Sequence, residues 1–173
     1  MTELKRFIRD VPNFPKPGVM FRDITPLLAN GSAWQETVNR IANLYRGQID
    51  VVLGIESRGF LIGSAVAYYL GCGIAVVRKP GKLPSATFNA SYALEYGTDT
   101  LEIHQDAFTP GSRVLVIDDL LATGGTAEAA IALTRQLRGE VVAAAFIIEL
   151  TFLNGRQRLA PCDIFSLIQY DSE

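Results

Sequence analysis

The stretch VLVIDDLLATGGT, from Val114 to Thr126, places two adjacent acids, Asp118 and Asp119, directly before a glycine-rich turn. The turn opens a helical sequence, so the backbone N–H groups of its residues can point into one concavity. Such a nest of N–H groups at the positive end of a helix suits a phosphate dianion. The stretch therefore predicts a phosphate-binding loop, whose residues are Ala122, Thr123, Gly124, Gly125 and Thr126.

The two acids follow the apolar run Val114–Ile117, which places them at the expected end of a buried strand. At that position the carboxylates of Asp118 and Asp119 can accept hydrogen bonds from the hydroxyls of a sugar. Acids and loop together predict a single ligand, a phosphoribose, that lies across both groups. The stretch lacks the lysine of a Walker A loop and the spacing of a GxGxxG fingerprint, which excludes those two nucleotide-binding motifs.

The elements that must position these groups alternate along the chain, aliphatic strands with helical sequences. This alternation predicts a mostly parallel sheet with helices on both faces, in one α/β domain. Strands are expected at 50–55, 73–79, 112–118, 140–150 and 163–170, and a hairpin at 91–97 and 99–105. Helices are expected from Ser32, as N-cap, to Gly47, after the turn ESRGF through about Leu70, and at 125–139.

Two segments read as loops. Four prolines between Val11 and Pro26 predict an ordered loop that is not helical. The segment PGKLPSATFNAS, residues 80–91, contains two prolines, one glycine and few aliphatic residues, which predicts a mobile loop.

The composition excludes several classes of protein. Of the 173 residues, 49% are hydrophobic and 20% are charged, which is typical of one globular domain. The net charge of −2 gives no reason to expect a nucleic-acid or membrane partner, and no apolar run reaches the ~20 residues that span a bilayer. Cys72 and Cys162 match no metal or redox spacing, and the first ten residues resemble no targeting signal, so a cytoplasmic protein is expected.

The acid pair and its loop closely resemble the phosphoribosyl-diphosphate (PRPP) motif of the type I phosphoribosyltransferases. Six further segments follow the order and spacing of the adenine-using members of that family: FPKPGVMFRDIT, ESRGF, VRKPGKLP, YALEYG, LEIH and VVAAAFIIEL. The resemblance covers nearly the whole chain. It departs at SATFN, Ser85 to Asn89, which leaves the contacts of that loop open.

The resemblance implies that adenine and PRPP react to give AMP and diphosphate, with Mg²⁺, in purine salvage. It implies a homodimer, a parallel sheet flanked by helices, a small N-terminal hood at about residues 1–30 and a flexible active-site loop at about 79–96. Residues 1–173 would form a single phosphoribosyltransferase domain.

Displacement of diphosphate from ribose needs charge stabilisation and positioning rather than a protein nucleophile. At the end of the first strand, Ser57 and Arg58 can offer a backbone N–H group and a guanidinium to the diphosphate. The resemblance gives the Glu56–Ser57 bond as a cis peptide. It also assigns the basic residues Arg78, Lys79 and Lys82 to diphosphate, partly across the dimer interface; a solvated cluster is the alternative.

Catalysis and base recognition rest on two other segments. In LEYG, the resemblance places Glu95 near the reacting carbon, where it takes the proton of adenine or opposes the charge of the sugar, and Tyr96 is a loop contact. In GVMFRD, Phe21 can stack on a purine. The resemblance gives Met20 and Arg22 as the positions whose main-chain groups read the adenine edge, which would reject a 6-oxo purine. Phe21 as a core residue is the alternative.

Three questions stay open at this stage. No direct protein ligand to Mg²⁺ is assigned, since Asp118 and Asp119 can act directly or through water and ligand oxygens. A PRPP-sensing regulator is a competing function, but the chain shows no helix-turn-helix pattern and no basic excess. A 6-oxo purine enzyme is a third possibility. His104, the single histidine, is expected to have no chemical role.

Overall fold

The structure is a computed structural model that describes residues 2–93 and 98–172. Its strands are β1 (Arg9–Pro12), β2 (Met20–Asp23), β3 (Val51–Ile55), β4 (Gly73–Val77), β5 (Thr87–Ala93), β6 (Thr98–His104), β7 (Arg113–Leu121), β8 (Glu140–Leu150) and β9 (Ile164–Tyr170). Its α-helices are α1 (Thr2–Lys5), α2 (Thr25–Ala29), α3 (Gly31–Leu44), α4 (Gly59–Leu70), α5 (Gly125–Gln136) and α6 (Gly155–Arg158). A 3₁₀ turn occupies Thr151–Leu153.

A five-stranded sheet forms the centre, in the order β4-β3-β7-β8-β9, and all neighbouring strands in it are parallel. Two antiparallel pairs, β1 with β2 and β5 with β6, lie outside this sheet. The α/β class with a mostly parallel sheet is confirmed. The parallel order also brings the loops after β3, β4 and β7 to one edge of the sheet, where a ligand can reach all three.

Helices cover both faces of the sheet, as continuous aliphatic strands require. Leu115 and Ile117 of β7 belong to a buried cluster that also contains Ile41 of α3 and Ile62 of α4. The alternate residue of the same strand, Val116, belongs to a second cluster with α5 and the β5–β6 pair. The period-two alternation of β7 therefore distributes its side chains between two cores.

Several boundaries differ from the sequence predictions. Strand β7 runs to Leu121, so Asp118 and Asp119 lie inside it and not after its end; Asp118 is still in register with Phe146 of β8. Asn30 caps α3, because its side chain accepts the N–H of Ala33 at 3.0 Å, and the prediction of Ser32 as N-cap was wrong.

The proline-rich segment is more regular than predicted. It contains the antiparallel pair of β1 and β2, and Pro26 lies at the start of α2. The antiparallel pairing of the predicted hairpin is confirmed as β5 and β6, although β5 begins at Thr87, inside the segment expected to be a loop. Residues 94–97 of the predicted first strand lie outside the described residues. Within the two described ranges, no helix combines the length and the apolar character that crossing a membrane requires.

Candidate active site

A cavity of about 470 Å³ opens at the sheet edge where β3, β4 and β7 end. It is lined by residues from all three of these ends and from the start of α5. The predicted site residues among them are Ser57, Arg58, Lys79, Asp118, Asp119, Ala122, Thr123, Gly124, Gly125 and Thr126. The structure thus brings the predicted phosphate loop, the acid pair and part of the predicted diphosphate site into one cavity.

The phosphate loop lines this cavity at the start of α5. Helix α5 begins at Gly125, and no side chain caps it with a hydrogen bond. The first N–H groups of a helix have no partner within the helix, so those of α5 remain to be satisfied from outside. Gly124 has φ of +85°, a left-handed conformation that glycine adopts without strain.

The acid pair is placed beside the loop but in two environments. Asp119 is buried, and its Oδ2 atom lies 2.5 Å from Nε of Arg58 without a hydrogen-bond donor directed at it. Asp118 accepts the N–H of Asp119 at 2.9 Å. Burial, and then the neighbouring charge of Asp119, raise the pKa of Asp118 well above its ordinary value. The pair therefore places two carboxylates at the cavity wall, and that of Asp119 is held by Arg58.

The turn after β3 lies directly on β7. The Glu56–Ser57 peptide is cis, as predicted. A Cβ atom on Gly59 would lie 2.8 Å from Oδ1 of Asp118 and 2.9 Å from the carbonyl oxygen of Ile117. Only glycine fits this approach, which brings Ser57 and Arg58 beside the acid pair.

Arg58 connects the acid pair with the N-terminal segment. Its guanidinium pairs with Asp119 and lies 5.0 Å from the ring centroid of Phe21. The ring of Phe21 also meets that of Phe14 edge-on at 5.1 Å. Phe21 lines neither of the two cavities described here, so its stacking on a purine stays a prediction.

The predicted basic group is organised by a residue that the sequence analysis did not single out, Glu56. Its carboxylate accepts hydrogen bonds from Arg78 at 3.2 Å, from the main chain of Lys79 at 2.8 Å and from the ammonium group of Lys82. Burial raises the pKa of Glu56, but these hydrogen bonds outweigh it and lower the pKa to about 2. Lys79 lines the cavity described above, whereas Arg78 and Lys82 do not.

Lys79 has a second carboxylate partner, Asp99, with which it forms an ion pair. The hydroxyl of Tyr92 donates to the same carboxylate at 3.2 Å and lies 3.4 Å from the ammonium group of Lys79. Tyr92 and Asp99 are register partners on β5 and β6. Sequence reasoning missed both residues, and alternation in the hairpin is the one signal that could have paired them.

A second cavity, of about 460 Å³, lies beside the first and shares Thr123 with it. Its other lining residues come from β2 and from the end of β8 and the turn that follows: Val19, Met20, Arg22, Leu150, Phe152 and Leu153. Two of the three predicted base-reading residues, Met20 and Arg22, therefore line a largely apolar space next to the phosphate loop.

The side chain of Arg22 is held away from solvent. It is 6% exposed, pairs with Asp10 at 2.5 Å and stacks 4.0 Å from the ring centroid of Tyr170. These contacts fix the strand that borders the second cavity.

Two predicted residues, Glu95 and Tyr96, lie outside the described residues. His104 accepts the N–H of Ser85 on Nε2 at 3.3 Å, a contact within the hairpin region. Across residues 2–93 and 98–172, no group of three or more acidic, histidine or cysteine side chains is arranged to hold a metal ion.

Comparisons with known proteins agree with this geometry. A family model described as phosphoribosyl transferase domain matches residues 27–166. An adenine phosphoribosyltransferase of Chloroflexus aurantiacus is 57% identical over 97% of this chain and 98% of its own length. The crystal structure of the Thermoanaerobacter pseudethanolicus adenine phosphoribosyltransferase superposes with a TM-score of 0.94 at 49% identity, over 97% of this chain and 98% of that one. The Saccharomyces cerevisiae enzyme, complexed with an imino-altritol bisphosphate and adenine, gives 0.90 at 40% identity, over 95% and 96% of the two chains.

Proposed function

Because this chain belongs to the adenine phosphoribosyltransferases, within the phosphoribosyltransferase family, we propose that its two adjoining cavities hold PRPP and adenine. The activity is that of a pentosyltransferase in purine salvage: the phosphoribosyl group passes from PRPP to adenine, which gives AMP and diphosphate. One observation carries the proposal, the shared wall at Thr123 between a polar cavity with a phosphate loop and a second, apolar cavity.

The ribose 5-phosphate part of PRPP occupies the phosphate loop, Ala122 to Thr126. The uncapped N–H groups of α5 bind the phosphate, and the hydroxyls of Thr123 and Thr126 add donors. Asp118 and Asp119 accept the ribose hydroxyls. The position of both acids in the cavity lining, next to the phosphate loop, supports this assignment.

The diphosphate of PRPP lies toward Ser57, Arg58 and Lys79, and Arg78 and Lys82 add positive charge behind it. The bond between the anomeric carbon and the diphosphate oxygen breaks as adenine nitrogen bonds to that carbon. Positive charge on these residues stabilises the leaving group, and Arg58 is the catalytic member because it lines the cavity beside the acid pair.

Adenine enters the second cavity, where the main chain of Met20 and Arg22 reads its edge. A main-chain carbonyl accepts the exocyclic amine and an N–H group donates to the ring, which a 6-oxo purine with reversed polarity cannot match. Phe21, on the opposite side of β2, holds Arg58 and stacks on the base only if its ring turns.

Glu95 accepts the proton that adenine loses, or opposes the positive charge of the sugar, and Tyr96 is a contact of the loop. We expect Glu95→Ala to lose far more turnover than PRPP affinity, since the residue acts only as charge develops. Equal losses of turnover and affinity in a paired kinetic and calorimetric measurement would contradict this role. Glu95→Gln, which keeps the shape of the side chain, is the matched variant.

Magnesium accompanies PRPP, and when bound it neutralises charge on the diphosphate oxygens. The residues present fit such a role through Asp118 and Asp119, because both carboxylates line the cavity beside the residues proposed to bind the diphosphate. The described residues hold no complete ligand set, so the metal is a companion of the substrate.

Residues 1–173 form one phosphoribosyltransferase domain, with a hood at about 1–30 and a flexible loop at about 79–96. The β1–β2 pair supports the hood, since β2 borders the second cavity. Faster hydrogen exchange at 79–96 than in β7, slowed by PRPP, is the expected signature of the loop.

The protein is a cytoplasmic homodimer. The free thiols Cys72 and Cys162 support a reducing compartment. Leu61 and Tyr68, seven residues apart on α4, are 48% and 90% exposed, and such an apolar helix face supports burial against a second copy. Light scattering should give a molar mass twice that of one chain. The double substitution of Tyr68→Ser with Leu61→Ser should lower this molar mass.

The test of the function is incubation with PRPP, Mg²⁺ and one nucleobase at a time, followed by nucleotide detection. AMP from adenine and no product from hypoxanthine or guanine is the expected result. IMP or GMP would move the specificity to 6-oxo purines. PRPP binding without any product would favour a sensor.

A further inference from the structure

Gly155 lies directly behind the phosphate loop, although it is 30 residues further along the chain than the loop. It is buried at the start of α6. A Cβ atom built on Gly155 would overlap the carbonyl oxygen of Ala122, and it would lie 3.1 Å from the carbonyl carbon of Ala122 and 3.1 Å from the nitrogen of Gly124. Main-chain atoms cannot move aside as the end of a flexible side chain can, so the contact requires glycine.

The same contact also requires glycine at position 124. A Cβ atom on Gly124 would lie 2.8 Å from the carbonyl oxygen of Gly155. Two glycines of distant segments therefore pack main chain against main chain. The peptide groups of Ala122 and Gly124, which the proposed function assigns to phosphate binding, have their position set by this contact.

Two ion pairs fix the segment that carries Gly155. Arg156 donates to both oxygens of the buried Glu149, at 3.0 and 2.6 Å, and to the carbonyl oxygen of Ile164 at 2.7 Å. Arg158 donates to Glu128 of α5 at 2.7 Å. The N–H of Glu128 in turn donates to the carbonyl oxygen of Gly124 at 2.8 Å. The segment is thus tied both to the sheet and to the first turn of α5.

We propose that Gly155, held by Arg156 and Arg158, is a positioning residue that sets the geometry of the phosphate loop. This inference rests on the proposed function, because it assigns the loop to the 5-phosphate. The main chain of Gly155 supports the loop from the side away from the cavity and touches no ligand. Its effect should therefore be larger for ligands that carry the phosphate than for adenine.

The test compares Gly155→Ala with Gly31→Ala. Gly31 also opens a helix after an asparagine, but a Cβ atom there has no neighbour within 4 Å. Calorimetry with ribose 5-phosphate, AMP and adenine should show at least about tenfold weaker binding of both phosphate ligands to Gly155→Ala. Adenine binding should change by less than about twofold, and KM for PRPP should rise more than kcat falls. The Gly31→Ala protein should match the parent chain in all three affinities.

Unchanged binding of ribose 5-phosphate, or an equal loss for adenine in a protein that keeps its melting temperature, would overturn the proposal. If Gly155→Ala does not fold, Arg158→Ala decides: about threefold weaker ribose 5-phosphate binding, restored by Arg158→Lys, supports it, and no change overturns it. The two proposals fail separately. A parent chain that makes no AMP contradicts the function, while loss of ribose 5-phosphate binding in Gly155→Ala still establishes the positioning role.

Discussion

At the phosphate loop, Ala122 to Thr126, the proposed anion-binding groups are main-chain N–H groups whose position depends on two glycine contacts. On the other side of the cavity, the groups are the side chains of Arg78, Lys79 and Lys82, which already pair with the carboxylates of Glu56 and Asp99. No side chain caps the helix that the loop opens, whereas the basic group must exchange a protein carboxylate for a ligand.

The difference fits what each side has to do. The 5-phosphate stays bound from substrate to product, so a fixed main-chain cradle serves it throughout. The diphosphate must leave, and cations with internal partners can return to them when it does. Substitutions on the two sides should therefore fail in different ways.

The largest effect is expected from Gly124→Ala. The new Cβ meets the main chain of Gly155, and the left-handed φ of +85° adds about 1–2 kcal/mol of strain. We expect kcat/KM for PRPP to fall about a hundredfold in steady-state kinetics. Gly111→Ala is the matched control, since it has a similar φ of +84° but open space around it. A similar loss of activity in both variants would mean that strain, and not the contact with Gly155, sets the loop.

A smaller effect of opposite sign is expected from Glu56→Gln. Removing this charge leaves Arg78 and Lys82 with one carboxylate fewer, so diphosphate should inhibit about fivefold more strongly in a product-inhibition assay. The affinity for ribose 5-phosphate should stay within about twofold, because that ligand contacts the other side. Weaker diphosphate inhibition would show instead that Glu56 holds the cations in place for the ligand.

Asp118, in the acid pair beside the phosphate loop, should destabilise the folded protein when it is ionised. The pKa of Asp118 is raised by burial and by Asp119, so its ionisation in the folded state is unfavourable. As the pH rises above the ordinary value of 3.8, the folded protein loses stability relative to a variant without that charge. Asp118→Asn should therefore melt about 3 °C higher at neutral pH, and calorimetry below pH 3.8 should show the difference vanish.

The smallest effect is expected in the stability of the folded protein at acid pH, through the ion pairs of Glu56. The pKa of Glu56 is lowered from 4.5 to about 2, so its ion pairs stabilise the folded state above pH 4.5 and are lost as the pH falls toward 2. Between these values the parent chain should lose about 1 kcal/mol more than Glu56→Gln in urea unfolding, a figure reduced by solvent screening. If the free energies of unfolding of the two proteins fall in parallel with pH, the ion pairs of Glu56 are not the source of this stabilisation.

The turn before α5 could be predicted from the sequence better than the ion pairs of the basic residues on the other side of the cavity. The turn that opens α5 and strand β8 could be identified from local patterns, since a TGGT turn and a continuous aliphatic run carry their own geometry. The partners of Arg78 and Lys82 could not, because Glu56 is more than 20 residues away and reaches them only through the parallel pairing of β3 and β4.

Boundaries failed where tertiary pairing overrides local signals. Asp118 and Asp119 look like residues that end a strand, yet pairing with β8 extends β7 through both of them to Leu121. The prolines of the N-terminal segment suggest a loop, but they leave two four-residue runs free to pair as β1 and β2. Gly155 carried no sequence signal, since its importance lies in a contact with a loop far away in the chain.

Strand β2 borders the second cavity with Met20 and Arg22, while Phe21 between them lies against Arg58, which lines the first cavity. Because side chains alternate along a strand, deletion of a single residue within it would exchange the two sets. Arg22 would then face Arg58, so that two positive charges would meet where the ring of Phe21 now packs against the guanidinium of Arg58. Insertions and deletions between Asn13 and Val19 leave this alternation intact. We therefore expect homologues to vary in length at that turn and to keep the three residues of the strand in step.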